Sequence, residues 1–139
     1  MEGAPHEGPQ PEAYSLFRRG SSFLSQGHPA QAAMLLERAL RLAPGKNSIV
    51  EALARAYFQS GRFDRAADLF RGITDSVPTN DYAHFGLACS LVKLGRMTEA
   101  RAHFRLAAAM EPERADYLQR LARCDSRLER SREEASEEG

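Results

Sequence analysis

The sequence is poor in the features that mark secreted and membrane-bound proteins. It has no tryptophan and only two cysteines, Cys89 and Cys124, which belong to no CxxC pair and are predicted to stay reduced. Its apolar runs are a few residues long, whereas a membrane-spanning helix needs roughly 20. The first twelve residues have neither a basic start nor an apolar stretch, so they do not read as a secretory signal. We therefore expect a cytoplasmic location and no membrane insertion.

Sequence motifs for catalysis and for nucleotide binding are also missing. The chain contains no GxxxxGK[ST], GxGxxG or GxSxG. Its histidines, His6, His28, His84 and His103, form no HExxH and have no second ligand at helical spacing, so we expect no metal site. We interpret His84 as a packing residue, and Cys89 as a small apolar one because no basic neighbour in the sequence favours its thiolate. The chain is thus predicted to have no catalytic residues and no cofactor, and not to be an enzyme.

The net charge of zero conceals an uneven distribution. Residues 1–12 and 133–139 carry seven carboxylates and no basic residue, which leaves 19 basic against 12 acidic residues in 13–132. The basic residues of this central part are spread along the chain rather than clustered, so nucleic acid is not the expected partner. The opposite charges suggest a hypothesis in which the acidic C-terminal tail folds back over the basic region.

An internal repeat of 34 residues organises most of the chain. Residues 13–46, 47–80 and 81–114 align without gaps, and apolar residues within them recur at helical spacing. Glycine suits the left-handed end of a helix, and proline cannot continue one. Each repeat therefore reads as a pair of helices, and the chain as all-α. The columns that carry the repeat are Gly27, Gly61 and Gly95; Ala32, Ala66 and Ala100; Pro44, Pro78 and Pro112; and the large residues Leu36, Phe70 and Phe104.

These columns resemble the tetratricopeptide repeat family, and the resemblance covers 102 of the 139 residues. It implies three antiparallel helix pairs stacked as a right-handed α-α superhelix. The amphipathic pattern at residues 115–130 is typical of the helix that caps such an array. The repeat domain is therefore predicted at 13–130, between a disordered tail at 1–12 and an acidic tail at 131–139. One departure is Arg19, which stands where the family has a large apolar residue.

The resemblance also implies a binding groove, because in this family the first helix of each repeat lines a concave face through five fixed columns. Five of the eleven aromatic residues fall on these columns, and aromatic residues and arginines carry much of the energy of protein interfaces. The alternative is that these aromatic side chains only fill gaps between helices. Carried over, the groove contains Tyr14, Phe17, Ser21, Leu24, Arg55, Phe58, Gln59, Tyr82, Phe85, Cys89, Val92 and Lys93, with Arg123 from the capping helix.

The predicted function is protein–protein interaction, as an adaptor or a small chaperone. The expected ligand is a peptide or helix of another protein, with apolar anchors and some acidic character. Some family members bind the C-terminal carboxylate of a chaperone with a clamp of Lys, Asn and Arg side chains. In this sequence the clamp is absent, because the corresponding positions are Phe17, Ser21, Ala52, Tyr82 and Gly86. The alternative function is a structural oligomer that assembles with itself and has no separate ligand. Sedimentation separates the two, and we favour a monomer.

Overall fold

The computed structural model describes residues 11–138, and these residues form seven α-helices with no strand. None of these helices is both long enough and apolar enough to cross a membrane. The order confirms the all-α prediction of three consecutive helix pairs and one further helix. The helices are α1 (Pro11–Ser25), α2 (Pro29–Leu42), α3 (Asn47–Gln59), α4 (Phe63–Ser76), α5 (Asp81–Lys93), α6 (Met97–Met110) and α7 (Ala115–Glu138).

The helices belong to two compact units, Met1–Arg62 and Phe63–Gly139. In the first unit α2 packs against both α1 and α3. In the second unit each helix from α4 to α7 packs against the next. The loops between packed neighbours contain only three or four residues, which makes these neighbours antiparallel.

The glycine column ends the first helix of each pair. Gly27, Gly61 and Gly95 have φ angles of 83°, 85° and 80°, in the left-handed region that glycine enters without a steric cost. The amide that follows each glycine donates a hydrogen bond of 2.8 Å to a carbonyl five residues earlier. This is the bonding pattern of a Schellman cap, and it ends each of these helices.

The large-residue column forms the centre of each unit. Leu36, Phe70 and Phe104 are at most 2% exposed. Glycines make room for two of them, because a Cβ on Gly20 would lie 2.7 Å from Leu36 Cγ and a Cβ on Gly86 would lie 2.5 Å from Phe70 Cζ. Close approach of neighbouring helices thus depends on the absence of a side chain at these two positions.

The structure corrects the predicted ends of the repeat domain. α1 begins at Pro11, inside the tail predicted at 1–12, because proline has the backbone angle required at a first helical position. α7 continues to Glu138, although the cap was predicted at 115–130 and a disordered acidic tail at 131–139. Residues 131–138 are all exposed and half of them are Glu, a good helix former, so their helix rests on intrinsic propensity. The fold-back hypothesis is wrong for this segment, since it continues α7. The predictions for residues 1–10 and 139 lie outside the described residues.

Candidate protein-binding surface

In the first unit, four of the predicted groove positions on α1 and α3 present exposed or partly exposed polar or aromatic side chains. Tyr14 is 54% exposed, and the Arg18 guanidinium carbon lies 5.8 Å from the centre of its ring. Ser21 is partly exposed, and Arg55 and Gln59 are exposed. An aromatic ring beside a guanidinium group is able to hold both an apolar and a polar group of a ligand.

The other predicted positions of the first unit are more enclosed. Phe17 is half-buried and packs against the cluster of Leu16, Ala39 and Ile49. Leu24 is only 6% exposed, so its side chain serves the core rather than a ligand in this conformation. Phe58 is half-buried. The packing alternative, which concerned the aromatic side chains, therefore describes Phe17 in part.

In the second unit, two aromatic residues of the predicted groove pack against buried rings. Tyr82 meets Phe70 edge to face, with centroids 6.2 Å apart. Phe85 stacks on Tyr117 at 4.6 Å and meets Phe104 edge to face at 5.7 Å. Tyr82 and Phe85 are only partly buried. Each therefore contributes to the core and also keeps part of its surface available to a partner.

The remaining predicted positions of the second unit differ in their exposure. Lys93 and Arg123 are exposed and Val92 is half-buried, while Lys93 Nζ lies 5.8 Å from the centre of the Phe63 ring. Cys89 is only 8% exposed. Burial raises the pKa of the Cys89 thiol to about 11, against the smaller opposite effect of Arg120. Cys89 is thus a neutral thiol at pH 7 and not a nucleophile, in agreement with the interpretation from the sequence.

Tyr117 is an organising residue that the groove prediction missed. It is 0% exposed, and its hydroxyl donates a 2.7 Å hydrogen bond to Asp81 Oδ2. The Arg114 guanidinium carbon lies 4.3 Å from the ring centre. Burial, and then the bond to Asp81, raise the pKa of the Tyr117 hydroxyl. The 34-residue repeat, continued into α7, gives a sequence signal for Tyr117. It aligns Tyr117 with Ile49 and Ala83, which are both buried.

His84 and His103 form a pair that their sequence separation conceals. Their Nδ1 atoms are 3.0 Å apart and their rings stack at 5.2 Å. The Nε2–H of His84 donates to the Pro78 carbonyl at 2.9 Å, so the neutral ring accepts at Nδ1 from the Nδ1–H of His103. His84 is 5% exposed, which agrees with the packing role inferred for it. Within residues 11–138 no three metal-ligating side chains come together.

The pH dependence of stability should reveal this histidine pair. Burial, followed by electrostatic repulsion from the nearby His84 and Arg71, lowers the pKa of His103 below its ordinary value of 6.5, while Glu99 opposes the shift. Between the lowered value and 6.5 the unfolded chain binds more protons, so stability should fall as the pH decreases below 6.5. Above 6.5 this residue is neutral in both states and contributes no pH dependence. Urea unfolding across this pH range should show a steeper loss for the wild type than for His103→Gln, and parallel curves would contradict the assignment.

Two family models described as "Tetratricopeptide repeat" match residues 17–81 and 61–124. Together they extend from within α1 to the first part of α7. The chain belongs to the tetratricopeptide repeat family. The glycine, alanine and proline columns predicted this membership, and the seven helices agree with it.

Relatives and solved structures extend the comparison of this tetratricopeptide repeat protein. It is 31% identical over 111 residues to Superkiller complex protein 3 of Mus musculus, a match that covers 80% of this chain but 7% of the relative. The TPR domain of Sgt2 from Aspergillus fumigatus superposes with a TM-score of 0.82 at 22% identity, covering 94% of this chain and 88% of that domain. The first TPR of Spaghetti (RPAP3), bound to the HSP90 peptide SRMEEVD, superposes with a TM-score of 0.81 at 18% identity, covering 90% and 98%. These two structures support the helical-repeat fold.

Proposed function

We propose that this chain binds a peptide or helical segment of another protein through the exposed faces of α1, α3 and α5, as an adaptor or a small chaperone. The observation that carries the proposal is the support of Tyr82 and Phe85 by the buried rings of Phe70 and Tyr117. A half-exposed ring that is already fixed loses little conformational freedom on binding, which favours its use as an anchor. The function involves no chemical step, and the monomeric state and cytoplasmic location remain predictions.

The comparisons support a protein partner without naming it. The first TPR of Spaghetti was solved with a bound HSP90 peptide, so a similar fold holds a peptide segment of another protein. The residues expected for a carboxylate clamp are replaced in this chain, for example by Phe17, Tyr82 and Gly86. We therefore expect apolar side chains of the partner, rather than its terminal carboxylate, to be the main anchors on these helices.

Site-specific crosslinking tests this proposal. A photoreactive phenylalanine analogue placed at Gln59 or Lys93, both exposed at predicted positions, should crosslink to the same partner protein in a native lysate. The matched control positions are Arg38 and Arg105, which are exposed on the second helices α2 and α6. The control positions are also exposed but lie on the second helix of a pair, so they should give no crosslink to this partner protein.

Two results would contradict the proposed surface. Equal crosslinking from the control positions would show that contact with the partner does not depend on the first helices. Crosslinking of the chain only to a second copy of itself, together with dimers or larger species in sedimentation at micromolar concentration, would favour the structural oligomer.

A further inference from the structure

Three arginines on one face of α7 border a cleft in the second unit. Arg120, Arg123 and Arg127 are spaced by three and four residues, so they lie along one stripe of the helix. All three are exposed. Arg123 was one of the predicted groove residues. The cleft lies between α5, α6 and α7 and is lined by Val92, Met97, Phe104, Arg120, Arg123, Cys124 and Arg127.

Arg120 Nη1 donates to Cys89 Sγ at 4.0 Å, and the three arginines have no ion-pair partner among the residues that the structure describes. Within residues 11–138, no salt bridge joins Arg120, Arg123 or Arg127 to a carboxylate. Two nearby carboxylates on α7 have other partners, because Asp116 pairs with Arg114 and Asp125 pairs with Arg101. Like charges three or four residues apart on a helix repel each other. An anion in the cleft would remove that repulsion.

The floor of the cleft is apolar and well supported. Phe104 is 1% and Cys124 2% exposed, and the Cys124 thiol donates to the Met97 carbonyl at 3.4 Å. The cavity volume is about 30 Å³, which admits a group the size of about two water molecules, because one water needs roughly 10–15 Å³ on this measure. The cleft therefore has room for the end of one side chain, and is too small for a nucleotide or an organic cofactor.

We propose that this cleft receives an acidic side chain of the partner protein. Its carboxylate lies among the guanidinium groups of Arg120, Arg123 and Arg127, and an adjacent apolar side chain of the partner contacts the half-buried Val92 and Met97. Guanidinium and carboxylate groups match in shape and charge, and the resulting hydrogen bonds are stronger than those between neutral groups. This inference rests on the proposed function, and it places the acidic part of the ligand on α7.

The charge of the rest of α7 favours a single carboxylate over a long polyanion. The helix carries five arginines against seven carboxylates, and the last four carboxylates stand at its C-terminal end. A nucleic acid strand that followed the helix would meet these carboxylates and be repelled. A short protein segment needs to contact only the part of α7 where the three arginines are concentrated.

NMR titration of the isotope-labelled full chain tests the inference. The probe is an acetylated and amidated peptide of alternating leucine and glutamate, and its counterpart has glutamine for each glutamate. The glutamate peptide should shift the Arg Nε–Hε signals of Arg120, Arg123 and Arg127 in a saturable manner, and added salt should weaken its binding. The glutamine peptide should bind about tenfold more weakly, which corresponds to about 1.4 kcal/mol.

A matched pair of variants locates the site. Arg123→Gln/Arg127→Gln should reduce affinity for the glutamate peptide about tenfold. Arg105→Gln/Arg132→Gln removes the same charge from exposed positions outside the cleft, and should leave affinity unchanged. Circular dichroism checks that both variants keep the helical content of the wild type.

Several outcomes would overturn the inference. One is that the glutamate peptide, up to its solubility limit, does not shift these arginine signals. Another is that both peptides bind with equal affinity. A third is that both variant pairs lose the same affinity for the glutamate peptide. Shifts of the same signals by an oligothymidylate at lower concentration would assign the cleft to nucleic acid instead. If crosslinking through Gln59 and Lys93 still identifies a partner in any of these cases, this inference fails while the proposed function stands.

Discussion

Replacing Tyr117 with alanine should destabilise the second unit by about 3–5 kcal/mol, as expected for removal of a large buried aromatic side chain. Tyr117 is 0% exposed and stacks on Phe85, and its hydroxyl donates to Asp81. Its loss leaves a cavity behind Phe85 and frees that ring to move. Urea unfolding followed by circular dichroism measures the change, and hydrogen exchange assigns it to α5, α6 and α7.

Two further substitutions separate the parts of this effect. Tyr117→Phe keeps the ring and removes the bond to Asp81, so it should cost only about 1–2 kcal/mol. Leu118→Ala, at the next position of the same helix, removes a side chain that is 46% exposed, and should cost about 0.5 kcal/mol or less. A Tyr117→Ala loss no larger than that of Leu118→Ala would show that this ring does not support the second unit.

Adding a methyl group at Gly86 should cost about 2 kcal/mol in the free energy of unfolding, within the usual range for overpacking a core. The new Cβ would lie 2.5–2.7 Å from three atoms of the Phe70 ring, and Phe70, being 2% exposed, cannot move into solvent. The value is net of about 1 kcal/mol that alanine gains over glycine inside a helix. Urea unfolding of Gly86→Ala measures it.

The control for Gly86 is Gly72, a glycine within α4 at which an added Cβ would meet no atom within 4 Å. Gly72→Ala should stabilise the chain by up to about 1 kcal/mol, because only helix propensity changes. The double variant Gly86→Ala/Phe70→Leu should lose less unfolding free energy than the two single variants lose together. The difference should be about 1 kcal/mol or more, because the smaller side chain relieves the clash. Strict additivity would mean that Phe70 is not the obstacle.

Much of the fold follows from short stretches of sequence. The glycine that ends the first helix of each pair, the proline after the second, and apolar residues at helical spacing act within one or two helical turns. They therefore predicted the three pairs, the helix after them, and the buried column of Leu36, Phe70 and Phe104. The same reasoning missed the extension of α7 to Glu138, because the end of the chain was expected to be frayed or disordered, although its glutamates are good helix formers.

The candidate surface was less accessible to sequence reasoning, since a column number does not give the exposure of a side chain. Leu24 and Cys89 occupy predicted groove columns and yet are buried. Phe85 is held by Phe104 and by Tyr117, which lies 32 residues further along the chain. Whether the predicted residues bind a partner stays a prediction that crosslinking tests.

The sequence by itself determined the family, the helix pairs and the residues that cap and fill them, because these depend on interactions between near neighbours in the chain. Only the tertiary structure decided which side chains meet across helices. It brought together His84 and His103, and Tyr117 and Asp81, and it placed the three arginines of α7 above an apolar floor from α5 and α6. The physical reason is that such contacts depend on the rotation and spacing of packed helices, which the whole set of core side chains determines jointly.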